Sequence, residues 1–170
     1  MENKETILPL EFTLRPVGQV KNSSGSVVLQ IAPAYAPALL GLSEYSHAQV
    51  LWWFDGADTP ADRARTLVRC PYAGAPEKLG VFATRSPFRP NPIALSCARI
   101  LCVDVERGQV TLGAFDAEPG SFVLDLKPYA PSSDRVESPT VPAWSAHWPA
   151  SLEASEAFDW ERETIPDFRQ

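Results

Sequence analysis

The stretch Gly80–Ser96, GVFATRSPFRPNPIALS, sets the reading of the whole chain. It opens on Gly80-Val81-Phe82-Ala83-Thr84, an apolar run that predicts a buried strand end. Pro87, Pro90 and Pro92 follow within six residues. They fix φ and remove backbone donors, so neither a helix nor a central strand can run through them. The residue before each proline is also driven towards extended geometry. From Ile93 to Val105 the chain is strand-like again, the longest such run in the sequence. A stiff loop carrying Arg85, Arg89 and Asn91 is therefore expected between two strands, and polar groups on a preorganised loop are a common way to build a site.

Working outward from this loop, turns and short strands alternate. Leu10–Val20 and Val27–Ala32 form an expected hairpin across Asn22-Ser23-Ser24-Gly25. Ala34–Leu42 reads as a short helix limited by Pro37. Tyr45–Phe54 is the most strand-like run, apolar on both faces towards its end, and Asp55-Gly56 closes it in a turn. Thr66–Val68 is a further strand candidate. Glu106-Arg107-Gly108-Gln109 reads as a hairpin turn before Val110–Phe115, and Phe122–Leu126 as a last strand. Seven or eight short strands with almost no helix predict a mainly β protein, a small closed antiparallel β-barrel with short helical and irregular additions. Ser151 is placed to cap a short helix. Trp144, Trp148, Phe158, Trp160 and Phe168 make the C-terminal tail too aromatic for a free segment, so it is expected to pack on the barrel or on a partner subunit.

With 170 residues the chain is one domain, or one domain with a tail. Its start is acidic and mixed, which does not read as a signal or transit peptide. No apolar run approaches a membrane span. Cys70, Cys97 and Cys102 are odd in number and lack metal-ligand spacing, which predicts no structural zinc, no catalytic metal and a reduced, cytoplasmic compartment. Cys97 and Cys102 read as core residues. The sequence has no GxGxxG or GxxxxGK[ST] pattern, so a nucleotide group would not be held by a dinucleotide fingerprint or a P-loop.

The net charge is −6, yet Arg63, Arg65, Arg69, Lys78, Arg85, Arg89 and Arg99 stand against the single acid Glu77 between positions 63 and 99. That segment can attract phosphate locally or form a solvated face. If a nucleic acid binds, Arg63 and Arg65 are expected to meet its phosphates. Asp125, Lys127 and Tyr129 alternate along one strand and share a face, where a buried acid and base either lock the strand end or do chemistry. His47 reads as a hydrogen-bonded residue rather than a base.

GVFATRSPFRPNPIALS resembles the signature of the TrmO/TsaA-like family of S-adenosylmethionine-dependent tRNA methyltransferases. Gly41–His47, GLSEYSH, and Val123–Tyr129, VLDLKPY, are similar to two further family segments. The resemblance spans about residues 12–148, the expected barrel domain, with 149–170 as the tail. It implies an antiparallel β-barrel acting as a homodimer on tRNA, with S-adenosylmethionine as cofactor and threonylcarbamoyl-adenosine beside the anticodon as substrate. By motif match it places cofactor contacts at Asp55, Gly56, Arg85, Leu95, Pro119, Gly120, Ser121 and Phe122. Asp55 and Pro119 depart from the family pattern, which commonly carries His and Asp there. Arg89, Asn91 and Lys127 would hold the loop or touch the substrate, and an Asx-type turn ahead of Pro92 is the alternative for Asn91. Asp125 and Tyr129 are the candidates for the general base. Two other functions remain open: methylation of a smaller substrate, and S-adenosylmethionine binding without catalysis.

Overall fold

The computed structural model describes residues 13–23 and 26–165. Alternation of side chains builds its core. In β3 (His47–Trp53) the residues Ala48, Val50 and Trp52 are buried, while His47, Gln49, Leu51 and Trp53 lie half-buried on the outer face. The same period of two runs through β1 (Gly18–Ser23), β2 (Ser26–Ile31), β6 (Ile93–Asp104), β7 (Gln109–Leu112) and β8 (Phe122–Pro128). These six strands close in the order β1-β2-β7-β6-β3-β8, every neighbour antiparallel. The expected mainly β, closed antiparallel barrel is present. Val20, Leu29, Val50, Val110, Leu112 and Val123 fill its interior, each at most 1% exposed.

Closure brings backbones together where β1 meets both β2 and β8. Gly18 faces Ile31 on one side and Val123 on the other. A Cβ at Gly18 would sit 2.5 Å from the Gln30 carbonyl oxygen, so only glycine fits. Gly108, with φ of 63°, turns the β6–β7 hairpin in the left-handed region.

Several expectations change. Thr66–Val68 and the start of the signature do not join the barrel. They become β4 (Leu67–Arg69) and β5 (Lys78–Gly80), a separate two-stranded ribbon. The predicted strand end at Gly80–Thr84 stops at Gly80. Val81–Ala83 is a single 3-10 turn, fixed by the Thr84 hydroxyl donating to the Val81 carbonyl at 2.9 Å. Val81 is buried, but Phe82 is 86% exposed. Trp52, on a strand expected to be apolar on both faces, points into the barrel. Its indole N–H donates to the Ser96 hydroxyl, and its ring meets Phe54 and Phe115. Cys102 is exposed and Cys97 half-buried, so neither is a core residue.

Ala34–Leu42 forms 3-10 rather than α-helical turns, over Pro33–Leu39 and Leu42–Glu44, because Pro37 withholds a donor. Three α-helical turns follow the sequence signals: α1 (Pro60–Arg63), capped by Thr59, α2 (Pro131–Asp134), and α3 (Leu152–Glu156), capped by Ser151 as expected. A last turn, α4 (Trp160–Glu163), carries the tail back onto the loop after β4. Tyr72 bridges Thr164 there, and Tyr72, Trp144, Trp148, Trp160 and Phe158 pack in sequence. Phe168 and the centre of the first hairpin turn lie outside the described residues.

The Glu163 carboxylate pins the tail by accepting from His147 and from the Trp148 indole, each at 3.0 Å. The bond to His147, then that to Trp148, holds the Glu163 pKa below its ordinary 4.5. A depressed folded pKa contributes stability above the unfolded value and loses it as pH falls. The tail is therefore expected to stay docked at neutral pH and to loosen as pH drops from about 4.5 through the lower folded value. Amide exchange of residues 160–164 against pH checks this; protection that is constant down to pH ~3 would remove the carboxylate from the latch.

Candidate active site

The strands bring most of the predicted site to one end of the barrel and the sheet face beside it. β3 ends at Trp53 opposite Ile93, the first residue of β6, and Trp52 faces Val123 near the start of β8. Asp55 and Gly56, the signature loop, and Pro119–Phe122 therefore all leave the barrel at this end. Asp55 and Gly56 are exposed, in a 3-10 turn after β3. Gly120 turns with φ of 96° and donates its N–H to the Val20 carbonyl, which fastens the last loop to β1. Ser121 is 7% exposed, and its backbone atoms are engaged with Glu118 and Val20. Gly120 and Phe122 keep more open surface, and Phe122 is 40% exposed.

The signature loop lacks a ladder of its own, and guanidinium groups replace it. Arg89 donates to the carbonyls of Val81 and Thr84 at 2.8 and 3.0 Å. Arg85 donates to the Leu95 carbonyl at 2.8 Å. Arg63 reaches the Pro90 carbonyl at 3.0 Å, the Asp58 carboxylate at 3.1 Å and the Asn91 amide oxygen at 3.4 Å. Arg65 pairs with Asp62 and lies over the Phe88 ring at 4.5 Å. Charge-assisted bonds of this kind outlast neutral ones. Arg89 thus holds the loop, and Asn91 takes part in the Arg63 tie. Arg63 and Arg65, expected to face phosphates, also serve as structural ties, because Asp58, Asp62 and Phe88 lie within their reach.

Arg63 was singled out by the sequence as a phosphate contact but not as a tie of the loop. Its signal was local: Thr59-Pro60-Ala61-Asp62 is a helix start, with the cap, the proline and the acid each in place. Ser96, Trp52 and Asp116 were likewise missed. Ser96 accepts from Trp52 and donates to Asp116 at 2.8 Å, which ties the loop before β8 to the barrel end.

The outer face of β6, β3 and β8 runs away from the loops in rows. Leu95, Leu51 and Asp125 form one row, since Leu51 pairs with both of the others. Two strand spacings of ~4.8 Å set Asp125 about 10 Å from Leu95 and from the Arg85 bond to its carbonyl. Lys127 and Gln49 belong to the next row, and Tyr129 bonds His47 beyond it. Tyr129 is four residues past Asp125, about 13 Å further along the strand, and is separated from Arg85. Lys127 donates to Asp125 at 2.6 Å, and this bond raises its pKa. The pair is not buried as expected: the side chains of Lys127 and Asp125 are 64% and 47% exposed.

A cavity of about 570 Å³ opens on the other side of Asp125, between β8 and the 3-10 turns, lined by Tyr35, Leu39, Leu40, Glu44, Tyr45 and Leu126. The two further motif segments, Gly41–His47 and Val123–Tyr129, supply part of its walls. Arg85 and the signature loop are absent from its lining, so the cavity and the loop site are distinct and meet only at Asp125. Among the described residues no cluster of His, Cys, Asp and Glu could hold a metal ion, and no helix is long and apolar enough to cross a membrane.

Known proteins give the arrangement a lineage. The chain is 36% identical over 144 residues to a tRNA (adenine(37)-N6)-methyltransferase of Escherichia coli, a match that covers 84% of this chain and 58% of that protein. It is 36% identical over 137 residues to an S-adenosyl-L-methionine-binding protein of Archaeoglobus fulgidus, which covers 72% of this chain and 93% of the relative. A crystal structure of TrmO superimposes with a TM-score of 0.61 at 27% identity, over 78% of this chain and 64% of that one. TrmO from Pseudomonas aeruginosa superimposes at 0.59 and 26% identity, over 77% and 62%. The chain thus spans less than two thirds of the Escherichia coli relative and of both solved structures. The sequence profile of the tRNA-methyltransferase O N-terminal domain covers residues 15–135, from the approach to β1 through β8 and α2, and the chain belongs to that family.

Proposed function

We infer that this protein is an S-adenosylmethionine-dependent methyltransferase whose substrate is the exocyclic amine of threonylcarbamoyl-adenosine beside the tRNA anticodon. The observation that carries the reading is the family match over 15–135 together with the convergence of Asp55, Arg85, Leu95 and Phe122 on one end and face of the barrel. The residues fit the cofactor. Arg85 makes one hydrogen bond, to a carbonyl, and has no acidic partner among the described residues, which leaves guanidinium donors for a carboxylate. Asp55 is exposed for ribose hydroxyls, and a Cβ at Gly56 would meet nothing within 4 Å. Leu95, Leu51 and Phe122 supply apolar surface for an adenine. The bound cofactor would supply an electrophilic methyl group.

The protein's own task is then to place the amine and to take its proton. Placement supplies much of the acceleration. Asp125 shares the Leu95–Leu51 row on the face beside Arg85 and is the candidate proton acceptor, and a general base contributes ~10²–10⁴-fold. Lys127 steadies that carboxylate, and Arg89 and Asn91 keep the loop in shape. The test is methyl incorporation from labelled cofactor into bulk tRNA against tRNA lacking threonylcarbamoyl groups; equal incorporation into both would overturn the substrate assignment. The acidic net charge and the near-full-length match to a relative named only for S-adenosylmethionine binding favour a second reading, a small substrate or cofactor binding without transfer. Absence of incorporation with retained cofactor affinity would select it.

The protein works in the cytoplasm as a homodimer on this reading. Trp52 is accommodated inside the barrel, so the argument for a partner rests on apolar side chains left exposed apart from the adenine surface, such as Leu101 of β6 at 53%. Sedimentation at micromolar concentration is expected to give twice the chain mass, and a monomer would defeat the assignment.

A further inference from the structure

We propose that the β4–β5 ribbon and Phe82 form a docking surface for unpaired RNA, with Phe82 as a stacking platform for a base and Arg69 and Lys78 as phosphate contacts. The inference rests on the tRNA reading above and adds a surface to it.

The ribbon has two unlike faces. Val68 is buried and Leu79 half-buried beneath it, while Leu67, Arg69 and Lys78 are exposed on the other side. Arg69 pairs directly with Lys78. Like charges opposed across a strand pair are destabilising, and among the described residues neither cation forms a salt bridge. Arg63 and Arg65, their neighbours in the basic segment, are by contrast tied to Asp58 and Asp62. Gly80 stands opposite Leu67 with open space where a Cβ would be, so no side chain covers that end of the ribbon.

Phe82 follows two residues later, and its 86% exposure is the highest among the large apolar side chains of the described residues. Its backbone is rigid, since Arg89 grips the carbonyls of Val81 and Thr84 on either side. An exposed aromatic ring on a braced backbone, two residues past a ribbon that carries two cations outside any salt bridge, matches the combination by which proteins hold single-stranded nucleic acid. The acid of the tail bonded nearest the ribbon loop, Glu163, is engaged by His147 and Trp148. A second copy of the chain fits the surface less well, because a two-fold contact centred here would set Arg69 and Lys78 against themselves.

The experiment measures binding of a labelled RNA stem–loop with unpaired loop nucleotides, alongside the same stem as a blunt duplex. Phe82→Ala is expected to weaken stem–loop binding about 5- to 150-fold and to leave duplex binding unchanged. Arg69→Ala with Lys78→Ala is expected to flatten the slope of log affinity against log salt by about 1.4. Calorimetric affinity for S-adenosylmethionine and the melting temperature serve as folding controls, and both should hold. Wild-type affinity for the stem–loop in all these variants overturns the docking surface and leaves the tRNA reading standing. A loss of dimer in place of a loss of RNA affinity reassigns the surface to a contact between copies. Wild-type protein that binds no RNA even at low salt overturns this inference together with the tRNA reading.

Discussion

Replacing Arg85 by alanine is expected to lower the affinity for S-adenosylmethionine about 10- to 150-fold. The estimate follows from one charge-assisted contact worth roughly 1.5–3 kcal/mol. Arg85 is exposed, stands without an acidic partner among the described residues, and is aimed by its bond to the Leu95 carbonyl. That bond fixes the fork, so Arg85→Lys should recover only part of the loss, since an ammonium cannot hold a carbonyl and a carboxylate in one plane. The Leu95 carbonyl lies on an exposed residue and can take water when the guanidinium is gone, so the melting temperature should change little. Calorimetry showing wild-type affinity in Arg85→Ala would remove the residue from the cofactor site.

Gly18→Ala is expected to destabilise the barrel by roughly 1–3 kcal/mol, the range for forced overpacking. The added methyl would overlap the Gln30 carbonyl at 2.5 Å and approach Ile31 Cα at 3.0 Å. Both are backbone atoms in a paired strand, and neither can swing aside as a flexible side chain would. Relief requires β1 to move away from β2, which breaks the seam at which β1 also meets β8. Denaturant unfolding checks this; a midpoint equal to that of the parent would show that the seam has slack. Gly56→Ala is the internal control, because its Cβ would meet open space.

The barrel was legible because its signal is a period of two sustained over many residues. Tyr45–Phe54 and Ile93–Val105 were read within two residues of β3 and β6. The ribbon was harder, since three-residue strands carry no period. Val81–Ala83 was misread because an apolar triplet followed a glycine, and the deciding contact was the Thr84 hydroxyl on the Val81 carbonyl. The facing of Trp52 was not legible because both faces of its strand are apolar at that end; only closure shows that it meets Phe54 and Phe115 inside. Arg89 was expected to hold the loop or touch the substrate, whereas Arg63 was visible as charge but not as scaffold. A sequence reports that Arg63 is basic, while the Pro90 carbonyl it binds is 27 residues away.

A loop built from prolines and guanidinium ties has a kinetic consequence. Its free and bound shapes should be nearly the same, so little ordering remains to be done after encounter. Cofactor capture is then governed by collision, with no rearrangement step of the kind a folding lid imposes. Stopped-flow traces should be single exponentials whose rate rises linearly with cofactor concentration. A rate that levels off at high concentration would show that some part of the site still moves before it closes on its ligand.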